Sequence, residues 1–415
     1  MSHSAGLADY RAALTTPGAR GPVLAALIGR LPVAMVGLSL MLYVRNSTGS
    51  FATAGLVSAA SLIGVAIGSV GQGRLMDRVG PSRPILVTSA VFAVLVATSI
   101  VAIEQRATTT VLVLLGFGVG LSEPMIGSAS RAMWTRLTPP GRSRGAALAY
   151  EAISMEVFFI AGPAISGLLT SAHWPGTGLV VGASCMVGGS VWFALTDTIW
   201  RSRPERRGTR ATGLQGLLGP LVSPGMRTVC VAAMGFGAVI GFVEIAIPAA
   251  ATNAGNQPAG GLLLGLLSIS SVVFGVAYGV RPWPRAMHLR LPALLAGFAL
   301  LVALLAIPTS LVWLGVAVLF AGLLVTPQAT SHSAALELVA PPETATEAFG
   351  WVITSVTIGI ALGQLVSGQL VEHVAVWASY LAATVLGLTF AAIVYARRQS
   401  VHAITSAPPA HAMAV

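Results

Sequence analysis

Lysine is missing altogether: the 23 basic residues of this 415-residue chain are all arginine, a compositional bias that no single function demands. Charge of either sign is scarce, at 9% of residues, where a soluble domain carries about 25%. With 55% hydrophobic residues, that scarcity excludes a soluble globular protein. Cysteine is nearly absent, and Cys185 and Cys230 both lie inside apolar runs, so a disulfide framework is not expected. Aromatics make up 7%, which argues against a cage for flat cations. The G-x-x-x-x-G-K-[ST] phosphate loop is missing, so the chain alone is no ATP-driven pump. There is no H-E-x-x-H or comparable metal cluster, and Ser128 and Ser130 lack nucleophile-elbow flanks. These absences argue against an enzyme. Met1–Gly21 has no apolar core before a small-residue cleavage site, so the first apolar run is expected to act as its own insertion signal.

What is present is apolar sequence in blocks of about 20 residues, the length that crosses a bilayer as a helix. The first six blocks are Pro22–Val44, Phe51–Gln72, Pro84–Ile103, Val111–Trp134, Gly145–Thr170 and Gly178–Trp200. The second six are Thr228–Ala250, Gly260–Val280, Leu291–Ile307, Leu311–Leu338, Thr346–Val371 and Ala375–Ala396. The expected class is therefore all-α and integral to the membrane, with twelve transmembrane helices in two six-helix bundles. The expected organisation is a cytoplasmic N-terminal tail (1–21), a first bundle (22–200), a cytoplasmic central loop (201–227), a second bundle (228–396) and a cytoplasmic tail (397–415).

Arginine placement sets the orientation. With the N-terminus inside, twenty arginines fall on the cytoplasmic side and only Arg45 and Arg106 on the outer side. Positively charged loops stay in the cytoplasm, so both termini are expected there, in a multi-pass protein of the cell membrane. The same placement removes the reason to read a net charge of +10 as a nucleic-acid footprint. An internal repeat is suggested by Pro139-Pro140-Gly141 and Pro341-Pro342-Glu343, at an offset of 202, and by Gly167 and Gly368, at 201.

Between the second and third blocks lies Gly71–Pro84, whose Gly73, Gly80, Pro81 and Pro84 suit a tight turn. Its G-x-x-x-D-R-x-G spacing, carried by Gly73, Asp77, Arg78 and Gly80, resembles the signature loop of the major facilitator superfamily. The resemblance extends over about Pro22–Arg398. It implies two bundles rocking about a central cavity, with Asp77 pairing with arginine to latch one state. Arg74, Arg78 and Arg83 are the basic members of that gating loop. Pro81 stands where the family usually has a basic residue, and Arg83 takes that role.

Five charged residues lie away from the block ends, toward the bilayer centre: Arg30, Glu123, Glu151, Glu156 and Glu244. Charge within a bilayer is costly, so each is a candidate for the proton-coupling site or the substrate cavity. Arg30 and Glu151 lie about 10 Å deep from the same side, counting about 1.5 Å per residue, and can pair if their helices touch. That pair is equally well read as a lock between helices. Glu156 is five residues beyond Glu151 and projects elsewhere. Glu123 precedes Pro124, where a freed carbonyl suits a cavity. Glu244 precedes Pro248 in the outer half of its block, and is as readily a rim residue as a ligand. Four acids face one arginine, and an uncompensated carboxylate that gains and loses a proton is what coupling requires.

In the fifth block Gly162, Pro163 and Gly167 match a helix-bend element of the superfamily's antiporter branch, with Ser166 in place of one glycine. With Arg30-Leu31-Pro32 in the first block, this resembles the actinobacterial efflux-type members, related to drug/proton antiporters. The reading is a secondary active transporter that exports a small molecule against protons by alternating access. It needs no cofactor beyond a proton gradient, and its partners are the substrate, protons and the lipid bilayer; it is expected to be a monomer. An importer or uniporter is the alternative, and a lipid-modifying enzyme or a non-transporting sensor the more distant ones.

Overall fold

The computed structural model describes residues 7–139, 142–202, 219–280, 286–340 and 345–401. Eleven helices there are long and apolar enough to cross a membrane, from Arg20–Thr48 to Val376–Ala396. The remaining span is the helix Arg142–Leu169, whose apolar part is the shorter Ile153–Leu169. Numbered in chain order, these are spans 1 to 12, with span 3 at Ser82–Glu104, span 6 at Thr177–Leu195, span 8 at Pro258–Val280 and span 11 at Ala345–His373. Their bounds differ from the apolar blocks by a few residues, because capping and turn chemistry ends a helix where hydropathy does not. Ser50 accepts the N–H of Thr53 and starts span 2, Phe51–Val79. Gly80, at φ 86°, ends it in the left-handed region that glycine enters without penalty. Span 7, Pro224–Asn253, begins ahead of its apolar block, with Ser223 as its cap.

Three spans are interrupted. Span 1 breaks at Leu31–Pro32, between Arg20–Arg30 and Val33–Thr48. Span 4 breaks after Ser122, between Thr109–Ser122 and Ile126–Leu137. Span 10 breaks between Leu311–Gly322 and Val325–Val339. The first two breaks hold a proline, which removes a helix N–H and crowds the preceding turn.

Helix pairing repeats with a shift of six. Span 1 packs on spans 5 and 6, as span 7 packs on 11 and 12. Span 2 packs on 4 and span 3 on 6, as span 8 packs on 10 and span 9 on 12. Across the halves the principal contacts are span 2 with 11 and span 5 with 8, which exchange under the same shift. This is a parallel repeat about an axis along the membrane normal.

Glycine makes the closest of these contacts. A Cβ on Gly120 would lie 1.8 Å from the Ser61 carbonyl oxygen, so spans 2 and 4 touch through backbone. Gly237 and Gly241 of span 7 interleave with Gly359 and Gly363 of span 11 in the same way. Between helices in lipid there is no hydrophobic gain to be had, and small residues that allow close approach carry the packing. Outward faces keep large apolar side chains, such as Val312 at 77% and Val273 at 66% exposed, as contact with lipid requires.

The two halves share core at one end only. At the end bearing most arginines, Ile85, Ile126, Trp134 and Phe193 form a cluster of first-half residues, and Val229, Leu291, Val339 and Val394 one of second-half residues. At the opposite end Ile245 and Ala249 of span 7 pack into the cluster of Val36, Leu40 and Phe51. The described residues thus join the halves at the arginine-poor end and leave each half with its own core at the other. Beyond the spans, helix Leu7–Leu14 packs on span 5, and Ser400 meets Thr228 hydroxyl to hydroxyl at 2.8 Å. Both tails are therefore held where they leave the bundle.

Candidate functional site

Span 4 is opened at Glu123 and the opening is splinted by one side chain. Gln72 of span 2 donates from Nε2 to the Glu123 carbonyl at 2.8 Å and the Leu121 carbonyl at 3.3 Å. Its Oε1 accepts the Met125 N–H at 3.1 Å. One amide thus satisfies the backbone groups that Pro124 sets free, which apolar surroundings would otherwise leave unpaired. The Glu123 side chain is left over. It is half-buried, and among the described residues no group hydrogen-bonds or ion-pairs with its carboxylate.

Arg30 and Glu151 do pair. The Arg30 guanidinium donates to Glu151 Oε2, and both side chains are buried, at 4% and 2% exposure. Glu151 Oε1 accepts from Ser130 Oγ at 2.6 Å and from Trp134 Nε1 at 2.9 Å. Spans 1, 4 and 5 are so joined by one fully bonded carboxylate. A carboxylate bonded in this way ties the three helices together, as a lock between helices requires. Glu156 follows on the same helix, but its side chain lies outside the described residues, as does that of Asp77.

Glu244 is half-buried on span 7 and accepts from Gln364 Nε2 of span 11 at 2.7 Å. Gln364 also marks where the halves cross, since a Cβ on Gly55 of span 2 would lie 2.7 Å from its carbonyl oxygen. Gly55 faces Gly368, and the equivalent crossing of spans 5 and 8 brings Gly167 against Gly261. Here the helix-bend element has its place. The helix continues through Pro163, while Gly162 meets Ala34 beside the break of span 1, and Gly167 lets span 8 approach. Ser166, the departure from the family pattern, shares a hydrogen bond with Ser39 at 2.5 Å.

The signature loop lies at the arginine-rich end. Gly80 sits under the Ser202 carbonyl, and Gly73 and Pro81 border a small cavity of about 80 Å³ with Ser128 and Arg136 of span 4. Arg74, Arg78 and Arg83 are exposed. The loop's described contacts are with its own half, spans 4 and 6.

The second half carries different chemistry at the matching depth. His332 of span 10 is buried, edge-on to Phe236 at 5.6 Å and 3.1 Å from Gln328 Nε2. It sits 202 residues beyond Ser130, the hydroxyl that holds Glu151. Among the described residues no group of His, Cys, Asp and Glu can hold a metal ion.

Sequence reasoning singled out the charges and passed over their amide partners, Gln72 and Gln364. A signal existed: glutamine inside an apolar span, on a helix whose partner is interrupted by Pro124 in one case and carries a buried acid in the other.

Comparison with known proteins agrees with this architecture. Residues 23–327 match the family model described as Major Facilitator Superfamily. An uncharacterized MFS-type transporter, y4rN of Sinorhizobium fredii (strain NBRC 101917 / NGR234), is 24% identical over 273 residues. That match covers 66% of this chain and 66% of the relative, just short of two thirds of the relative's length. Among solved structures, a mutant of the nucleoside transporter NupG superposes with a TM-score of 0.75 at 15% identity, covering 91% of this chain and 99% of that one. A bacterial homolog of the human lysosomal transporter Spinster, inward-facing and occupied, gives 0.68 at 14%, with coverage of 92% and 96%. The peptide transporter POT in complex with sulfate gives 0.69 at 14%, with 96% and 99%. At such identities the likeness is one of fold.

Proposed function

The chain belongs to the Major Facilitator Superfamily, and from that premise we propose that it is a proton-coupled exporter of a small molecule, working as a monomer in the cell membrane. The observation that carries the reading is Glu123: a carboxylate at a break in an apolar span, with no described partner, beside a second acid that is fully bonded. A carboxylate that is protonated in one state and ionised in the other is what coupling needs. Arg30 and Glu151 hold spans 1, 4 and 5 as one body, and Glu123 carries the proton.

The halves pack together at the arginine-poor end, which the positive-inside rule puts outside; an exporter loads its substrate from the cytoplasm in such a state, and an importer releases it there. The Gly162-Pro163 and Gly167 element at the seam with span 8 supports the efflux branch. Rocking about the two glycine crossings then releases substrate outward as a proton enters from outside.

The test uses purified protein in weakly buffered detergent, screened against a panel of amphipathic small molecules, with Glu123→Gln and Glu244→Gln alongside. Proton release on binding that Glu123→Gln abolishes and Glu244→Gln keeps supports the assignment. Release unchanged in Glu123→Gln moves the coupling site to another acid. A compound that binds without any release rules out antiport, and puts an importer or uniporter in its place.

A further inference from the structure

Spans 9 and 12 lie side by side, Met287–Ala303 against Val376–Ala396, and leave an apolar groove of about 590 Å³ between them at the arginine-rich end. Pro292, Ala293 and Ala296 line one wall, Leu388 and Ala392 the other. The small residues are the reason for the groove: alanine on both facing turns leaves the space a longer side chain would fill. Pro292, within the span 9 helix, adds no reach either. The groove opens on the membrane side, where Leu289, Ile393 and Tyr395 are exposed. It extends over about seven residues of each helix, or about 10 Å at about 1.5 Å per residue. One leaflet of hydrocarbon is about 15 Å deep.

Its mouth is basic. Tyr395 lines the groove at 51% exposure, and the Arg398 guanidinium lies 4.1 Å over its ring. Arg398 also donates to the Tyr395 carbonyl at 3.1 Å. Arg397, exposed next to it, donates to Thr228 Oγ1 at 3.2 Å. Among the described residues no acid pairs with either arginine. An apolar slot about two thirds of a leaflet deep, with the Arg398 guanidinium over the tyrosine at its end and Arg397 as the next residue, matches an acyl chain joined to an anionic headgroup.

We propose that the groove between spans 9 and 12 is a binding site for an anionic phospholipid, one acyl chain along Ala293, Ala296 and Ala392 and the phosphate at Arg397 and Arg398. The site is on the outer wall of the second half, lined by spans 9 and 12 alone, so it is separate from the seam between the halves and independent of what passes there. Spans 9 and 12 pack on span 7, whose partner span 11 crosses into the first half. A lipid wedged there bears on the half as a body.

The full chain would be purified in detergent and its bound lipid counted by native mass spectrometry, with thermal unfolding in parallel. The additions are phosphatidylglycerol, phosphatidylcholine with the same acyl chains, and inorganic phosphate. Phosphatidylglycerol is expected to be retained and to raise the unfolding temperature. Phosphatidylcholine should bind at least about fivefold more weakly for each arginine engaged. Ala392→Trp, at an exposed position, fills the groove and should lose the lipid without loss of fold. Arg398→Gln should weaken phosphatidylglycerol and leave phosphatidylcholine alone, and Arg398→Lys should restore part of the difference. Equal retention of the two lipids overturns the headgroup assignment. Protection by inorganic phosphate alone overturns the acyl chain, and undiminished binding in both Ala392→Trp and Ala293→Trp overturns the groove.

Discussion

Glu372, near the end of span 11, accepts the backbone N–H of Phe51, the first residue of span 2, at 2.8 Å. A carboxylate from the second half so occupies a helix N-terminus of the first, where the unpaired N–H groups and the dipole favour an anion. Arg45 lies 5.1 Å over the Phe51 ring, and Gln257 donates to Asn46 Oδ1 at 2.8 Å across the same gap. These bonds exist only while the arginine-poor end is shut. Glu372→Ala is expected to weaken that closure by about 0.5–2 kcal/mol, the usual worth of a cap. Spin labels at exposed Thr48 and Ala254 would then report a longer and broader distance distribution than in the unmodified chain.

The glycine crossings predict a stronger version of the same shift. A Cβ on Gly261 would lie 2.3 Å from the Pro163 carbonyl oxygen, and one on Gly55 2.7 Å from that of Gln364. Both obstacles are backbone and cannot rotate aside. Gly55→Trp with Gly261→Trp should hold the arginine-poor end open, seen as faster thiol or spin-label access there. Gly73→Ala is the control: nothing lies within 4 Å of its Cβ, and in a helix interior the change stabilises by up to about 1 kcal/mol.

Glu151→Ala leaves the buried Arg30 without its counter-charge and Ser130 and Trp134 without their acceptor. Breaking a buried pair on one side costs about 3–5 kcal/mol. The unfolding temperature in detergent should fall accordingly. Replacing both partners, Arg30→Met with Glu151→Met, should recover most of the loss. A double variant no better than the single one would show that Arg30 has a second role.

Gln72→Leu keeps the volume of the splint and removes its bonds. The Glu123 carbonyl and the Met125 N–H are then unpaired, at about 1–3 kcal/mol for each group left buried. Hydrogen exchange at Met125 and its neighbours should accelerate. Gln72→Glu retains an acceptor for Met125 and loses the donor, so it should fall between the two.

What was legible in the sequence follows from how lipid acts on a chain. Twelve apolar blocks and one-sided arginines are one-dimensional patterns that the bilayer imposes, and both can be counted along the chain. The pairing of Arg30 with Glu151 followed from equal depth on two helices, since depth is a matter of counting residues. What stayed hidden depends on which helices touch. Nothing local to Gln72 tells that it faces the gap before Pro124, and nothing local to Gly55 tells that Gly368 lies opposite. Glycine is frequent in membrane helices, so the positions that set the closest approach look like the rest until the crossings are known. The element around Pro163 belongs here too: Gly162 and Gly167 are contact positions, which only the crossings with spans 1 and 8 reveal.

The neutrality of the Arg30–Glu151 pair has an electrical consequence. Moving one elementary charge through the membrane field changes its energy by about 2.3 kcal/mol per 100 mV. A guanidinium and a carboxylate that travel together within one half move no net charge, whatever angle that half turns through. The membrane potential therefore does no work on the lock, and it neither drives nor resists the rocking through it. Any voltage dependence of turnover is then a reading of charge moved elsewhere, on the cargo, on a proton if one accompanies it and on Glu123, and it constrains the stoichiometry of transport.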